Sequence, residues 1–210
     1  MTREREFDLT GAVPPSRSPG DSLRRLAEGS AVSLAVSTAD EMRELGRRLA
    51  SALTAGDLVI LSGGLGAGKT TLTKGIGDRL GVRGPITSPT FVIARVHPPV
   101  GPVGSAPSGP GPSLVHADAY RLGGVLELDD LDLDTDLASS VTVVEWGEGL
   151  AEGLSADRLE IAIETLPTGG ADATDPDDLA GDLPRTVRIS SVGQRWEGIE
   201  LPLLGLADRL

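Results

Sequence analysis

The sequence predicts an α/β protein whose central sheet is mixed but mainly parallel. Segments in which apolar residues recur at helical spacing alternate with short apolar runs that are typical of buried strands. A glycine-rich segment over residues 63–70 joins one of these runs directly to a helix-like segment. Late in the chain, two segments in which apolar and polar residues alternate follow one another, which indicates an antiparallel portion of the sheet.

The first predicted elements are two strands and two helices in alternation. Residues 32–36 alternate apolar with small or polar side chains, which predicts a strand. Thr38 is a helix-capping residue followed by acids, and apolar residues then recur at helical spacing, so we predict a helix that ends at Gly56. The apolar run over 57–62 predicts a strand, and residues 70–80 predict the second helix.

The later predicted elements are mostly strands. Strands are predicted over 90–96 and 114–120, and the β-branched apolar residues 141–144 predict a buried strand. Alternation of apolar and polar residues predicts two more strands, over 158–164 and 186–192. The remaining predicted elements are short helices over 125–133 and 201–210.

The 210 residues are enough for one domain with a sizeable core. We predict this domain over 31–193, after a disordered tail over 1–30 and before a C-terminal extension over 194–210. The Pro/Gly-rich residues 98–113 cannot pack a core and are predicted to be a flexible insertion. A second loop, acidic and containing proline and glycine, is predicted over 167–184.

The composition argues against several classes of protein. The protein is not expected to bind nucleic acid unaided, because its net charge is −12 and phosphate contacts need clustered Lys and Arg. The chain has no cysteine, which excludes disulfides, thiolate nucleophiles and cysteine metal sites. Its start lacks the apolar core of a signal peptide, and no apolar run approaches the ~18 residues of a membrane helix. We therefore expect a cytoplasmic protein without membrane association. Acidic runs over 127–136 and 172–182 indicate solvated surface or, alternatively, a docking face for a basic partner.

Residues 63–70 fit the phosphate-binding pattern G-x-x-x-x-G-K-[ST], between a strand and a helix as the motif requires. Glycines let backbone N–H groups close around phosphate oxygens, and the next helix directs its positive N-terminus at the anion. Lys69 would reach the β- and γ-phosphates, and the Thr70 hydroxyl would bind Mg²⁺. The chain has only one other lysine, Lys74, so a chance match at this position is rare. These observations predict a P-loop NTPase-like three-layer fold.

Two acids are placed to complete such a site. Asp118 and Glu145 each follow an apolar strand, at the carboxyl end where α/β sheets bind ligands. One of them would orient the metal while the other positions the attacking water. Ordinary strand-end acids remain an alternative interpretation of each position.

Three other features allow a structural and a functional interpretation. Residues 87–91 lie where nucleotide hydrolases often sense the γ-phosphate, although a plain Ser-Pro turn accounts for them as well. His116 is interpreted as a structural histidine rather than a catalyst. Trp146 either packs in the core or covers the nucleotide, and its spacing does not decide between the two.

Four segments, taken together and in this order, resemble the TsaE (YjeE) family of bacterial ATPases: residues 65–71, 88–91, 116–122 and 144–146. The phosphate loop is shared by many families, whereas His-x-Asp-x-Tyr-Arg and Val-Glu-Trp are more particular. The resemblance spans about residues 33–192. It implies an ATPase, with ATP and Mg²⁺ as cofactors, that is required for threonylcarbamoyl modification (t6A) of adenosine 37 in tRNAs reading codons that begin with A. It also implies binding to the TsaD–TsaB transferase pair and contact with tRNA only through that complex.

The resemblance implies roles for the matching positions. Thr70 and Glu145 match the Mg²⁺ positions, and Asp118 matches an acid needed for hydrolysis, to which Lys69 also contributes. The positions implied in phosphate binding are Leu65, Gly66, Ala67, Gly68, Lys69, Thr70 and Thr71.

Three further positions match the family near the nucleotide, and one departs from it. Trp146 matches a functionally sensitive tryptophan, and Thr38 and Arg185 fall near positions that touch the nucleotide. The family usually has an acid where this chain has Gly64, so any role of that side chain is missing or moved. The backbone cradle does not need it.

Two other functions fit parts of the pattern. A small-molecule kinase would also use a phosphate loop and Mg²⁺, but it would need an arginine-bearing lid and an acceptor pocket. The sequence identifies neither, and the region of Arg158 and Arg185 stays open as a lid. A docking module would bind nucleotide without significant catalysis, in which case Asp118 and Glu145 would be superfluous. A GTPase is disfavoured because the Asn-Lys-x-Asp guanine motif is absent from the sequence.

Overall fold

A seven-stranded mixed sheet forms the centre of the molecule. The computed structural model describes residues 24–25, 29, 31–89, 93–100, 111–120, 137–166 and 183–203. In chain order the elements are β1 (Arg24–Arg25), β2 (Ala31–Val36), α1 (Ala39–Ala50), β3 (Leu58–Gly63), α2 (Lys69–Leu80), β4 (Ala94–His97), β5 (Ser113–Asp118), β6 (Ser140–Glu145), β7 (Arg158–Thr165), β8 (Arg185–Val192) and β9 (Glu200–Leu201).

The sheet has a parallel centre and antiparallel flanks. Its order is β2-β8-β7-β3-β6-β5-β4, and the pairs β7–β3, β3–β6 and β6–β5 are parallel. The outer pairs β2–β8, β8–β7 and β5–β4 are antiparallel. The predicted α/β class with a P-loop NTPase-like mixed sheet is confirmed. Because β3, β5 and β6 run the same way, their carboxyl ends lie at one edge of the sheet.

Helices α1 and α2 pack together on one face of the sheet. Apolar residues from both helices form one buried cluster with the strand residues that face them. Helix α1 begins as predicted, since the Thr38 hydroxyl accepts a hydrogen bond from the Glu41 N–H at 3.1 Å. It ends at Ala50, earlier than the predicted Gly56. The next turn keeps i→i−3 backbone bonds up to Leu53, which is why helical spacing continues past the helix.

The two helices approach closely at a pair of glycines. A Cβ added to Gly75 would overlap the Arg43 carbonyl oxygen, and one added to Gly46 would overlap the Leu72 carbonyl oxygen. Both obstructing atoms belong to helical backbone and cannot rotate away. The contact between α1 and α2 therefore requires glycine at both positions.

Substituting Gly75 with alanine is expected to destabilise the fold by about 1–3 kcal/mol, the usual cost of overpacking a core. Alanine also raises helix propensity by ~1 kcal/mol, so the measured loss is the net of the two effects. Gly153→Ala is the control, because a Cβ there meets no atom within 4 Å, and its expected change is within about 0.5 kcal/mol. Urea unfolding of both variants checks the prediction, and equal unfolding midpoints would contradict it.

The predicted N-terminal tail and the predicted C-terminal extension pair with each other, and the extension also packs into the domain core. Arg24–Arg25 pairs with Glu200–Leu201, although the sequence placed both segments outside the domain. The Trp196 side chain is fully buried in the core with Leu201 and Leu203. Residues 200–201 are strand where the sequence predicted the start of a helix at 201, because backbone pairing with β1 overrides the apolar pattern there. The exact domain limits remain a prediction.

Several predictions fall on residues outside the described ranges. They are most of the disordered tail over 1–30, the helix over 125–133, the rest of the helix over 201–210, the first part of the strand over 90–96, most of the insertion over 98–113, the acidic runs over 127–136 and 172–182, and most of the loop over 167–184. Neither α1 nor α2, the α-helices described in full, has the length and apolar character that crossing a bilayer requires.

Candidate functional site

The glycine-rich loop connects the carboxyl end of β3 to the start of α2. Gly63 has a φ of 139°, and a Cβ there would overlap the Ile163 carbonyl oxygen of neighbouring β7. Gly68, the N-cap of α2, has a φ of 111°. Both conformations favour glycine, which explains the two fixed glycines of the motif. The first N–H groups of α2 therefore face the loop without a side-chain cap from Gly68.

A cavity of about 340 Å³ lies against this loop. Residues 65–70 form one wall, and side chains from the ends of β5 and β6 form the other. The cavity brings together nine of the predicted residues, which are Leu65, Gly66, Ala67, Gly68, Lys69, Thr70, Asp118, Glu145 and Trp146. Two residues that were not assigned to the site, Ser88 and Tyr120, also line it.

The Lys69 ammonium lies between the loop and an aromatic ring. It donates to the carbonyl oxygens of Gly63 at 2.8 Å and Gly64 at 2.9 Å, and it sits 3.7 Å from the Trp146 ring centroid. Burial lowers the pKa of Lys69, while the nearby Glu145 and Asp118 carboxyls oppose that shift. Phosphate oxygens can replace the carbonyl partners, since they accept stronger, charge-assisted hydrogen bonds.

Glu145 is tied to the first turn of α2. Its Oε1 accepts the Thr70 hydroxyl at 2.8 Å and His116 Nε2 at 2.8 Å. Strand register brings Glu145 beside Asp118 on β5 and Leu61 on β3. The predicted proximity of the two strand-end acids to the loop is therefore observed.

Both carboxylate oxygens of Asp118 accept hydrogen bonds. Oδ2 accepts the Ser88 hydroxyl at 3.0 Å, and Oδ1 accepts the Tyr120 N–H at 3.0 Å. Asp118 and Glu145 are each only 3% exposed, so both carboxyl groups have given up most of their contact with water. Their fixed orientation towards one cavity suits the binding of a charged ligand.

Thr70 and Glu145 suit magnesium bound together with phosphate better than a free metal ion. Magnesium is usually held by one or two protein groups, several waters and substrate phosphates. A hydroxyl and a carboxylate meet that requirement. Among the described residues no group of three or more His, Asp or Glu side chains could hold a metal ion.

Three predicted residues do not line the cavity. The Thr38 hydroxyl caps α1, and Thr71 is outside the cavity wall. Arg185 is buried beside Gly68, where its Nε lies 3.8 Å from the position of an added Cβ, and its Nη1 donates to the Leu183 carbonyl at 2.7 Å. Contacts of these three residues with a nucleotide remain predictions.

Sequence analysis missed the partners of the two acids. His116 was interpreted as structural, yet it contacts Glu145, and Ser88 contacts Asp118. One signal was available for His116. Strand alternation places His116 on the same face as Asp118, two residues later on β5.

Comparisons with known proteins agree with this geometry. The family model "Threonylcarbamoyl adenosine biosynthesis protein TsaE" matches residues 36–170. A protein of Streptomyces coelicolor described as "tRNA threonylcarbamoyladenosine biosynthesis protein TsaE" is 54% identical over 164 residues, covering 78% of this chain and 99% of that protein. A Bacillus subtilis protein of the same description is 33% identical over 159 residues, covering 75% and 84% of the two chains.

A solved structure supports the same assignment. The crystal structure of Bacillus subtilis YdiB superposes with a TM-score of 0.56 and 26% identity, covering 81% of this chain and 92% of that one. At this coverage the likeness extends well beyond the phosphate-binding motif. The chain therefore belongs to the TsaE family of threonylcarbamoyl adenosine biosynthesis proteins.

Proposed function

We propose that the protein is a Mg²⁺-dependent ATPase that supports t6A formation at adenosine 37 of tRNAs reading codons that begin with A. In this proposal it works with the TsaD–TsaB pair in the cytoplasm and meets tRNA only through that complex. One observation carries the proposal. The Thr70 hydroxyl donates to Glu145 across the cavity that Lys69 and Asp118 also line, so every group expected of a nucleotide hydrolase faces one space.

The residues divide the work by position. Loop N–H groups and the Lys69 ammonium hold the phosphates, which lie at the N-terminus of α2. Thr70 and Glu145 hold the magnesium ion, which when bound neutralises charge on the phosphate oxygens. Asp118, fixed by Ser88 and by the Tyr120 N–H, orients the attacking water and accepts its proton.

The same contacts weigh against the two alternative functions. A docking module without catalysis has no need of two acids that are buried and aimed at the phosphate cavity, since burying such groups costs free energy. A kinase needs a free arginine to close over the transferred phosphate. Among the described residues Arg158 is paired with Glu160 at 2.8 Å, and Arg185 donates to a backbone carbonyl.

Measuring ATP hydrolysis under three conditions tests the proposal. We expect weak activity for the protein alone, clear stimulation when the TsaD–TsaB pair is added, and no phosphate transfer to nucleosides offered as acceptors. Omission of Mg²⁺ is expected to remove the stimulated activity. The metal ion would supply the positive charge that stabilises the phosphate oxygens, which neither the Thr70 hydroxyl nor the Glu145 carboxylate can supply. Phosphate transfer to an acceptor would favour the kinase. Nucleotide-dependent binding of the pair without hydrolysis would favour the docking module.

A further inference from the structure

His116 is a fully buried polar residue below the phosphate cavity. Its side chain is 0% exposed, and its Nε2 lies 2.8 Å from Glu145 Oε1. Because a carboxylate oxygen accepts hydrogen bonds, Nε2 is the nitrogen that carries the proton. Nδ1 makes no hydrogen bond with any part of the chain that the structure describes. Within the described residues, the hydrogen bond to Glu145 is therefore the one that this buried imidazole makes.

The Glu145 oxygen that His116 contacts is also the one that Thr70 contacts. Thr70 Oγ1 approaches Oε1 from α2, and His116 Nε2 approaches it from β5. Two donors on one oxygen fix the rotation of the carboxylate. The other carboxylate oxygen, Oε2, takes no part in these two hydrogen bonds. A threonine that donates its hydrogen to Glu145 keeps its oxygen lone pairs for a cation.

We propose that His116 is a positioning residue that holds Glu145 in the orientation in which it accepts the Thr70 hydroxyl, and that it thereby sets the affinity for magnesium rather than for the nucleotide. This inference rests on the proposed function. His116 lies beneath the wall of the cavity and does not line it, so direct contact with phosphate is not part of its role. Outer partners of metal ligands typically change metal affinity by about 10- to 100-fold when they are removed.

The test uses the full chain and two separate binding measurements. Mn²⁺ serves as a paramagnetic probe of the metal site in the presence of saturating ADP, and calorimetry measures ADP binding in EDTA. For His116→Leu we expect Mn²⁺ affinity to fall by about 10- to 100-fold and ADP affinity in EDTA to stay unchanged. His116→Gln is expected to restore most of the Mn²⁺ affinity, because its amide N–H reaches about as far as Nε2.

The chain's other histidine supplies a matched control. His97 is also buried, its Nδ1 lies 3.2 Å from the Arg83 carbonyl oxygen, and its Nε2 has no hydrogen-bond partner within the described ranges, so it makes no hydrogen bond to Glu145 there. His97→Leu should leave Mn²⁺ affinity unchanged. If His116→Leu does not fold by circular dichroism, His116→Asn replaces it, since the shorter amide does not reach Glu145 and the same loss is expected.

Three results would overturn the inference. In the first, His116→Leu (or His116→Asn, where it replaces the leucine variant) keeps the wild-type Mn²⁺ affinity. In the second, His116→Gln loses as much Mn²⁺ affinity as that variant. In the third, ADP binding in EDTA weakens in that variant in parallel with Mn²⁺ binding. Each would show that the histidine acts through general packing or not at all. If instead the wild-type chain binds no ADP under any of these conditions, the proposed function itself is wrong.

Discussion

Replacing Lys69 with alanine is expected to weaken ATP binding by about 10- to 100-fold for each phosphate hydrogen bond that is lost. A charge-assisted hydrogen bond contributes about 1.5–3 kcal/mol, and ~1.4 kcal/mol corresponds to a tenfold change in Kd. Lys69 has two short contacts with carbonyl oxygens in the loop, so its ammonium is already aimed at the cavity. Titration of Mg²⁺-ATP by calorimetry checks the expected loss.

The environment of Lys69 explains why a neutral side chain cannot replace it. Burial opposes the charge on the ammonium and lowers its pKa, whereas a bound phosphate would stabilise that charge. Binding therefore relieves an unfavourable state that alanine does not have. The Trp146 ring, 3.7 Å from the ammonium, gives a second measurement, because its fluorescence should change on nucleotide binding and the variant should need a higher nucleotide concentration to show that change.

Lys74→Ala is the matched control for this experiment. Lys74 is the chain's other lysine and also lies on α2, but it lines a separate cavity together with Arg43 and Asp78. The two substitutions change net charge equally. Equal loss of ATP affinity in both variants would mean that long-range charge, and not a contact in the loop, determines binding. Wild-type affinity in Lys69→Ala would remove the basis of the site.

Much of the fold was predictable because side-chain alternation in this chain directly reflects burial. The strands predicted over 32–36, 158–164 and 186–192 are observed with ends that differ by at most one residue. Each has one face on the core, so sequence period and burial coincide. The end of α1 was not predictable, because a turn with i→i−3 bonds continues the helical spacing after Ala50.

The site was predicted in its parts but not in its contacts. A motif identified Lys69, and the rule that ligands bind at the carboxyl ends of parallel strands identified Asp118 and Glu145. The hydrogen bond from His116 to Glu145 depends on the register of β5 against β6, which joins residues 29 positions apart. Burial of Trp196 likewise depends on long-range packing, since an isolated aromatic residue carries no periodic signal.

Replacing Asp118 with asparagine is expected to lower the rate of ATP hydrolysis with the TsaD–TsaB pair by about 10²–10⁴-fold, the usual contribution of a general base. Asparagine has nearly the same shape. It can still accept the Tyr120 N–H, and the Ser88 hydroxyl can rotate to accept from the new amide. The substitution therefore removes charge and proton affinity while the cavity keeps its form. Nucleotide affinity, measured by calorimetry, should stay near that of the wild type.

Asp57→Asn separates the chemical role of Asp118 from the general effect of losing a buried carboxylate. Asp57 is 4% exposed against 3% for Asp118, but it precedes β3 at the opposite end of the sheet and pairs with Arg195 at 3.1 Å. Breaking that pair should lower the free energy of unfolding and leave hydrolysis by the folded protein unchanged. If Asp118→Asn hydrolyses ATP as fast as the Asp57 variant, a proton acceptor at the end of β5 is not required, and water activation must come from the partner or from the nucleotide itself.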